Sequence, residues 1–227
     1  MEDIGIVVSD YASNVQSNSP ATNTGDDVVS APLYKGKIIT QEDRAREAIR
    51  LIQAEGKNIS TLKYVLNLKT AYGDGVTTLC LIYNATGDVL ELTVKKDWLG
   101  YVYGQEPPRS FENGQWLAFL HAHPTSEAYG CEAARVYRGK NKEGEVRDFM
   151  FAWSTPWGRI ENSAYTEVRE KDHFLQYWDY VKEQKLEKAN KITKDESDQY
   201  CASAVSIGGL TSPECIAIFR HKFSPMP

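Results

Sequence analysis

Apolar positions along this chain follow a helical spacing at first and a two-residue spacing from Val76 onward. Ala45, Ala48, Ile49 and Ile52 recur at the three- and four-residue steps of one helix face. Thr40 stands where an N-cap hydroxyl belongs, Asp43 at the reciprocal capping-box position, and Gly56 where the helix should stop. These signs predict a helix over 41–55. Leu62, Val65, Leu66 and Tyr72 share one side of a second predicted helix, 61–72, capped by Ser60 and closed by Gly73. Both apolar faces are narrow, which suits packing on a sheet rather than insertion into a membrane.

The later pattern is that of strands. Val76 to Tyr83 is apolar and β-branched, and Asn84-Ala-Thr-Gly-Asp88 reads as a turn. Leu90, Leu92 and Val94 alternate with polar neighbours, as do alternate positions from Gln115 to His123. Cys131 to Arg138 and Val146 to Ser154 flank Gly139-Lys-Asn-Lys-Glu-Gly144, a hairpin signal. Tyr165 to Arg169 is a further strand, and Tyr200 to Ile207 with Glu214 to His221 form a closing pair. Many short strands at regular spacing predict a mostly β (α+β) fold, a β-sandwich flanked by two short N-terminal helices. Ser9 to Ala31 is rich in Ser, Asn, Thr, Asp and Pro, so residues 1–37 are expected to be a flexible leader and 38–227 a single domain.

Composition narrows the function classes. Thirteen Tyr and five Trp support strands, where aromatic rings fit a half-buried pleated surface. The net charge of −5 lacks the basic footprint that phosphate neutralisation needs, so no specific nucleic-acid partner is expected. Lys182 to Lys194 is basic but interleaved with Glu183 and Glu187, the pattern of a solvated face. Met1 to Asp10 lacks the basic start and long apolar run of a secretory signal, and no segment reaches the ~20 apolar residues of a membrane span. Cys80, Cys131, Cys201 and Cys215 are scattered, with no CxxC pair, and read as reduced buried thiols. A cytoplasmic or nucleocytoplasmic location follows as an expectation. His121-Ala-His123 would place two imidazoles on one side of a strand, but no third ligand accompanies them, and neither metal nor cofactor is expected.

Several motifs in order carry a family resemblance: Tyr83-Asn-Ala-Thr-Gly-Asp88, Asn113-Gly-Gln-Trp-Leu-Ala-Phe-Leu-His121, Val136-Tyr-Arg-Gly139, Phe151-Ala-Trp-Ser154 and Ala164-Tyr-Thr-Glu-Val-Arg-Glu170. Together they resemble the 23 kDa jasmonate-induced proteins of plants, from about Ile38 to Phe223. The resemblance implies a hormone- or stress-inducible plant defence protein with no established enzymatic activity, and a non-enzymatic role is expected. The order of helix, strands, Ser154-Thr-Pro156 turn, aromatic segment and final Gly-rich hairpin is also similar to that of actinoporins and mushroom fruit-body lectins. Those are β-sandwiches that recognise lipid headgroups or glycans. In actinoporins the pocket is made by a turn hydroxyl, a Ser-x-Pro turn and a tyrosine cluster. By that resemblance Thr86 matches the turn hydroxyl, Ser154 and Pro156 the Ser-x-Pro turn, and Tyr177, Trp178 and Tyr180 the cluster. The tryptophan-rich membrane loop of that family is reduced here to Trp157-Gly-Arg-Ile-Glu-Asn162, so binding is expected and pore formation is not.

The candidate ligand-binding residues are therefore Thr86, Ser154, Pro156, Trp157, Tyr177, Trp178 and Tyr180. Ring faces attract ammonium groups at ~0.5–2 kcal/mol per contact and also stack on sugar CH faces. The competing reading is that these rings pack core or cover a sheet edge. Two other functions are weighed. A stress-accumulated interaction or storage-like protein would have no pocket between the Ser154 turn and the Tyr177 segment. An antiviral RNA N-glycosidase would use Glu132-Ala-Ala-Arg135, which is similar to a stretch of plant ribosome-inactivating proteins. There the stretch is helical; on a strand, Glu132 and Arg135 face opposite sides and cannot share a substrate.

Overall fold

The computed structural model describes residues 38–124, 129–158 and 161–223, and the expected leader lies outside them. Helix α1 (Gln41–Arg50) opens with the capping box read from the sequence: the Thr40 hydroxyl accepts from the Asp43 N–H, and the Asp43 carboxylate accepts from the Thr40 N–H. It ends at Arg50 rather than 55, because the chain then turns through Ala54–Gly56 with Glu55 and Gly56 at φ 57° and 64°. Helix α2 (Lys57–Tyr72) starts directly after that left-handed pair. Ser60 consequently lies inside the helix and is not its cap.

The strands are β1 (Thr77–Ala85), β2 (Leu90–Leu99), β3 (Tyr101–Tyr103), β4 (Ser110–Phe111), β5 (Trp116–Ala122), β6 (Cys131–Lys140), β7 (Val146–Thr155), β8 (Ser163–Glu170), β9 (Ile192–Asp195), β10 (Cys201–Ile207) and β11 (Glu214–His221). They build two sheets. Sheet A has the order β3-β5-β1-β11-β10-β9, and sheet B the order β4-β2-β6-β7-β8. The β1–β11 pairing is parallel and every other pairing is antiparallel. The sandwich is the mostly β architecture that the sequence predicts. Strands β3, β4 and β9 were not foreseen, since two to four residues are too short to display a period.

The interior is aromatic. Phe149, Phe151 and Trp153 from β7 meet Phe219 from β11 and Phe119 from β5, with the Phe149 and Phe219 rings 5.4 Å apart. Each such side chain contributes about 1.5–3 kcal/mol by leaving water. One charge lies among them. The Arg135 guanidinium is buried between the rings of Phe119 and Trp153 and pairs with Asp97 Oδ1 at 2.8 Å. The same carboxylate oxygen lies 3.1 Å from His121 Nε2, so Asp97 of sheet B ties β5 of sheet A to β6.

The chain passes from sheet B to sheet A at Gly100, where φ is +98° and any Cβ would run into the Ala122 carbonyl and the His121 ring. At the opposite edge, β8 is joined to β9 by side chains: Asp195 accepts from the Val168 N–H at 2.7 Å, and the Thr193 hydroxyl donates to the Ala164 carbonyl at 3.1 Å. These links keep the β8 edge from standing open.

Candidate functional site

Alternation along the strands decides which side chains leave sheet B outward. Ala133 and Tyr137 of β6 and Phe149, Phe151 and Trp153 of β7 point into the sandwich. Glu132, Ala134 and Val136, with Met150, Ala152 and Ser154, therefore point out. The register lays these residues in rows across the sheet. One row is Glu132–Ser154–Ser163, and the next is Ala134–Ala152–Tyr165.

A segment following β8 crosses this outer face. It contains a short turn, His173–Leu175, and a π-helical stretch, Tyr180–Leu186. Phe174, Val181 and Leu186 bury themselves on Ala134, Val136, Met150 and Ala152. The apolar pegs stop short of the Glu132–Ser154–Ser163 row, and there a pocket of about 460 Å³ opens. Its floor is Ser154, Ser163 and Glu132, and its walls include Pro156, Trp157, Tyr129, Glu161 and Glu187.

The pocket end is fastened from several sides. The hydroxyls of Thr155 and Thr78 share a hydrogen bond of 2.8 Å that joins the turn after β7 to sheet A. Gly130 lies so close to Thr155 and Pro156 that a side chain there would collide with the Thr155 carbonyl. Asn162 donates to the carbonyls of Gly208 and Leu210, anchoring the approach to β8 on the β10–β11 loop. The Trp157 ring rests 5.6 Å from the His123 ring yet remains 47% exposed, and Tyr129 is 52% exposed. Half-exposed rings beside Glu187 and Glu161, the latter 3.5 Å from Lys191 Nζ, form a rim suited to cations or to stacked sugars.

The predicted residues divide into three places. Ser154, Pro156 and Trp157 meet in the pocket. Tyr177, Trp178 and Tyr180 lie on the crossing segment and do not line it. Trp178 packs against Trp98 and Phe174, at 5.9 and 6.3 Å between rings. Tyr177 is exposed with φ +67°, its ring 5.6 Å from that of His173, and Tyr180 is exposed beside Lys185. Thr86 is apart from all of them. It follows β1 at the end away from Thr78, roughly 25 Å along the strand at 3.3 Å per residue. Its hydroxyl is buried in its own turn, donating to Asn84 Oδ1 at 2.8 Å. Chain order alone could not show that the β1–β2 turn and the β7–β8 turn occupy opposite ends.

Other candidates are equally placed. Glu132 faces out and pairs with Lys182 at 3.0 Å, whereas Arg135 faces in, so these two side chains occupy opposite faces of sheet B. His121 is spent on Asp97, and among the described residues no group of three His, Cys, Asp or Glu side chains stands ready to hold a metal ion. The four cysteines are free and buried; burial pushes the Cys131 and Cys201 thiols up to about 12, far from the thiolate form. Tyr129, Ser163, Glu161 and Glu187 were missed by sequence reasoning. Ser163 carried a signal, since its two-residue spacing from Tyr165 puts it on the same face of β8.

A family model described as Nakanori-like protein matches residues 25–222. The chain belongs to the Nakanori-like family. It is 38% identical over 199 residues to the 23 kDa jasmonate-induced protein of Hordeum vulgare, covering 86% of this chain and 93% of that one. The resemblance read from the motifs is thus borne out. Among solved structures, the lipid binding protein Nakanori superposes with a TM-score of 0.77 at 23% identity, over 88% of this chain and 98% of its own. That likeness shows the fold of the Nakanori-like family. The Xerocomus chrysenteron lectin is far more remote, with a TM-score of 0.42 at 13% identity, over 64% of this chain and 99% of its own.

Proposed function

We propose that this chain is a non-enzymatic, stress-inducible plant protein that binds the headgroup of a membrane lipid in the pocket at Ser154, Pro156 and Trp157. The observation carrying this reading is the pocket over the last outward row of sheet B, with Glu132 at its floor and the half-exposed Trp157 and Tyr129 rings and the carboxylates of Glu161 and Glu187 around it. An ammonium group is drawn both to ring faces and to carboxylates, and a pocket of this size lies within the ordinary range for small ligands, about 300–1,000 Å³. Family membership with a protein named for lipid binding, and a jasmonate-induced relative, support it from outside. The acid–base chemistry is correspondingly sparse: Cys131 at the pocket is held as a thiol by burial.

A second reading, glycan binding, is favoured by the paired hydroxyls of Ser154 and Ser163 beneath the Trp157 rim. Flotation with vesicles of choline-headed lipid or of glycosylated sphingolipid separates the two. Headgroup binding predicts co-flotation with the choline set, abolished by free phosphocholine and weakened about tenfold by Trp157→Ala. Unaltered flotation in that variant would remove the pocket from the explanation.

A further inference from the structure

Beside the pocket, one row further over sheet B, the chain presents its own ammonium to a pair of rings. Lys185 Nζ lies 5.3 Å from the centroid of Tyr180 and 5.8 Å from that of Tyr165. Both distances fall inside the ~6 Å reach of a cation–π contact. Among the described residues Lys185 has no carboxylate within ion-pair distance, so the rings are what its charge meets. Three residues earlier on the same π-helical stretch, Lys182 Nζ sits 3.0 Å from Glu132, a carboxylate of the pocket floor. Two consecutive lysines of one short segment thus occupy two places an external ammonium would seek. π-helical turns are rare and frequently mark functional sites, and this one carries both lysines.

We propose that Tyr165 and Tyr180 form an ammonium-binding subsite which the chain itself keeps closed with Lys185, and that a ligand bearing a quaternary ammonium must displace this lysine. The inference deepens the headgroup reading and rests on it for the biological ligand, but the subsite can be tested without a membrane. Lys185 is half-buried and Tyr180 49% exposed, so displacement needs only a rotamer change of a long side chain at the surface. Lys185 and Lys182 together act as a latch: the first guards the ring pair, the second the carboxylate.

The test is titration of Lys185→Met with tetramethylammonium chloride, against sodium chloride at the same ionic strength, following the ring resonances of Tyr165 and Tyr180 by NMR. Methionine keeps an apolar stem over the rings and removes the charge. The variant should bind about tenfold more tightly than the natural chain, and Tyr180→Leu added to Lys185→Met should return binding to the natural level. Equal binding by the natural chain and Lys185→Met would overturn the latch, as would a gain that survives loss of the Tyr180 ring. Lys185→Gln serves as a second uncharged variant if the first perturbs the fold by circular dichroism. Because the probe is free in solution and Trp157 is untouched, a failed latch leaves vesicle flotation to stand, and failed flotation leaves the ring subsite to stand.

Discussion

The two outer faces of the sandwich meet the same need for cover in different ways. Sheet A lies beneath α1 and α2, which set Ala48 against Tyr83 and Ala85, and Val65 against Leu79, Leu81 and Leu120. The Tyr83 hydroxyl even donates to the Ala48 carbonyl at 2.6 Å, so the central strand β1 is buried along its whole length. Sheet B is covered by a shorter, less regular segment that pegs down Phe174, Val181 and Leu186 and then stops. What those pegs do not reach is the Glu132–Ser154–Ser163 row, and the pocket is there. The helix pair reaches along the central strand of its sheet, whereas the abbreviated cover of sheet B stops short of one row and sets its own polar side chains, Lys182 and Glu187, beside it.

That comparison is broken most severely from the space both sheets share. Arg135→Ala empties the space between Phe119 and Trp153 and removes the partner of the partly exposed Asp97, and should destabilise by about 2–5 kcal/mol, chiefly through the cavity left among buried rings. Urea denaturation would record it as a large drop in midpoint, with both faces lost together.

A smaller loss tests the faces separately. Leu186→Ala removes a fully buried peg of the sheet B cover and should cost about 2–3 kcal/mol. It should also lower flotation with choline-headed vesicles, because the pocket wall at Glu187 adjoins it. Val65→Ala on the sheet A side should cost stability and leave flotation unchanged once the variant is folded. If the two variants affect flotation equally, the two covers are not distinct in function.

The mildest effect is expected from pH. Burial, aided by the Arg135 charge, holds His121 below the usual imidazole range despite its hydrogen bond to Asp97. The unfolded chain therefore takes up the proton first. Stability from this group is complete above about pH 6.5, the ordinary histidine value, and declines as pH falls below it. Asp97 adds a second loss at lower pH: burial raises it, but the hydrogen bond to His121 and the Arg135 charge outweigh that and hold it below the usual carboxylate range. Urea midpoints from pH 8 to pH 4 should fall below neutrality, and His121→Gln should flatten the first part of that fall. His221, also lowered by burial, contributes in the same direction and leaves a residual slope.

Much of this molecule is legible in its residues. The Thr40–Asp43 capping box, the β6–β7 hairpin and the closing β10–β11 pair all follow from local chemistry, because caps, turns and strand alternation depend on near neighbours. The opposite facing of Glu132 and Arg135 is of the same kind, since a strand reverses its side chains at every step. The site is only half legible. Ser154, Pro156 and Trp157 are adjacent in sequence and stay together, whereas Thr86 and the Tyr177–Tyr180 stretch are distant in sequence and were grouped by resemblance alone.

The sequence by itself determined the two helices, the longer strands with their inward and outward faces, and the family. The tertiary structure alone decided which turns share an end of the sandwich, how far the crossing segment reaches over sheet B, and where the ammonium of Lys185 comes to rest. The physical reason is range. Periodicity and capping are set within a few residues, but the Lys185 contact with Tyr165 and the Lys182 pair with Glu132 join positions far apart in the chain, and only the packed sheets bring them together.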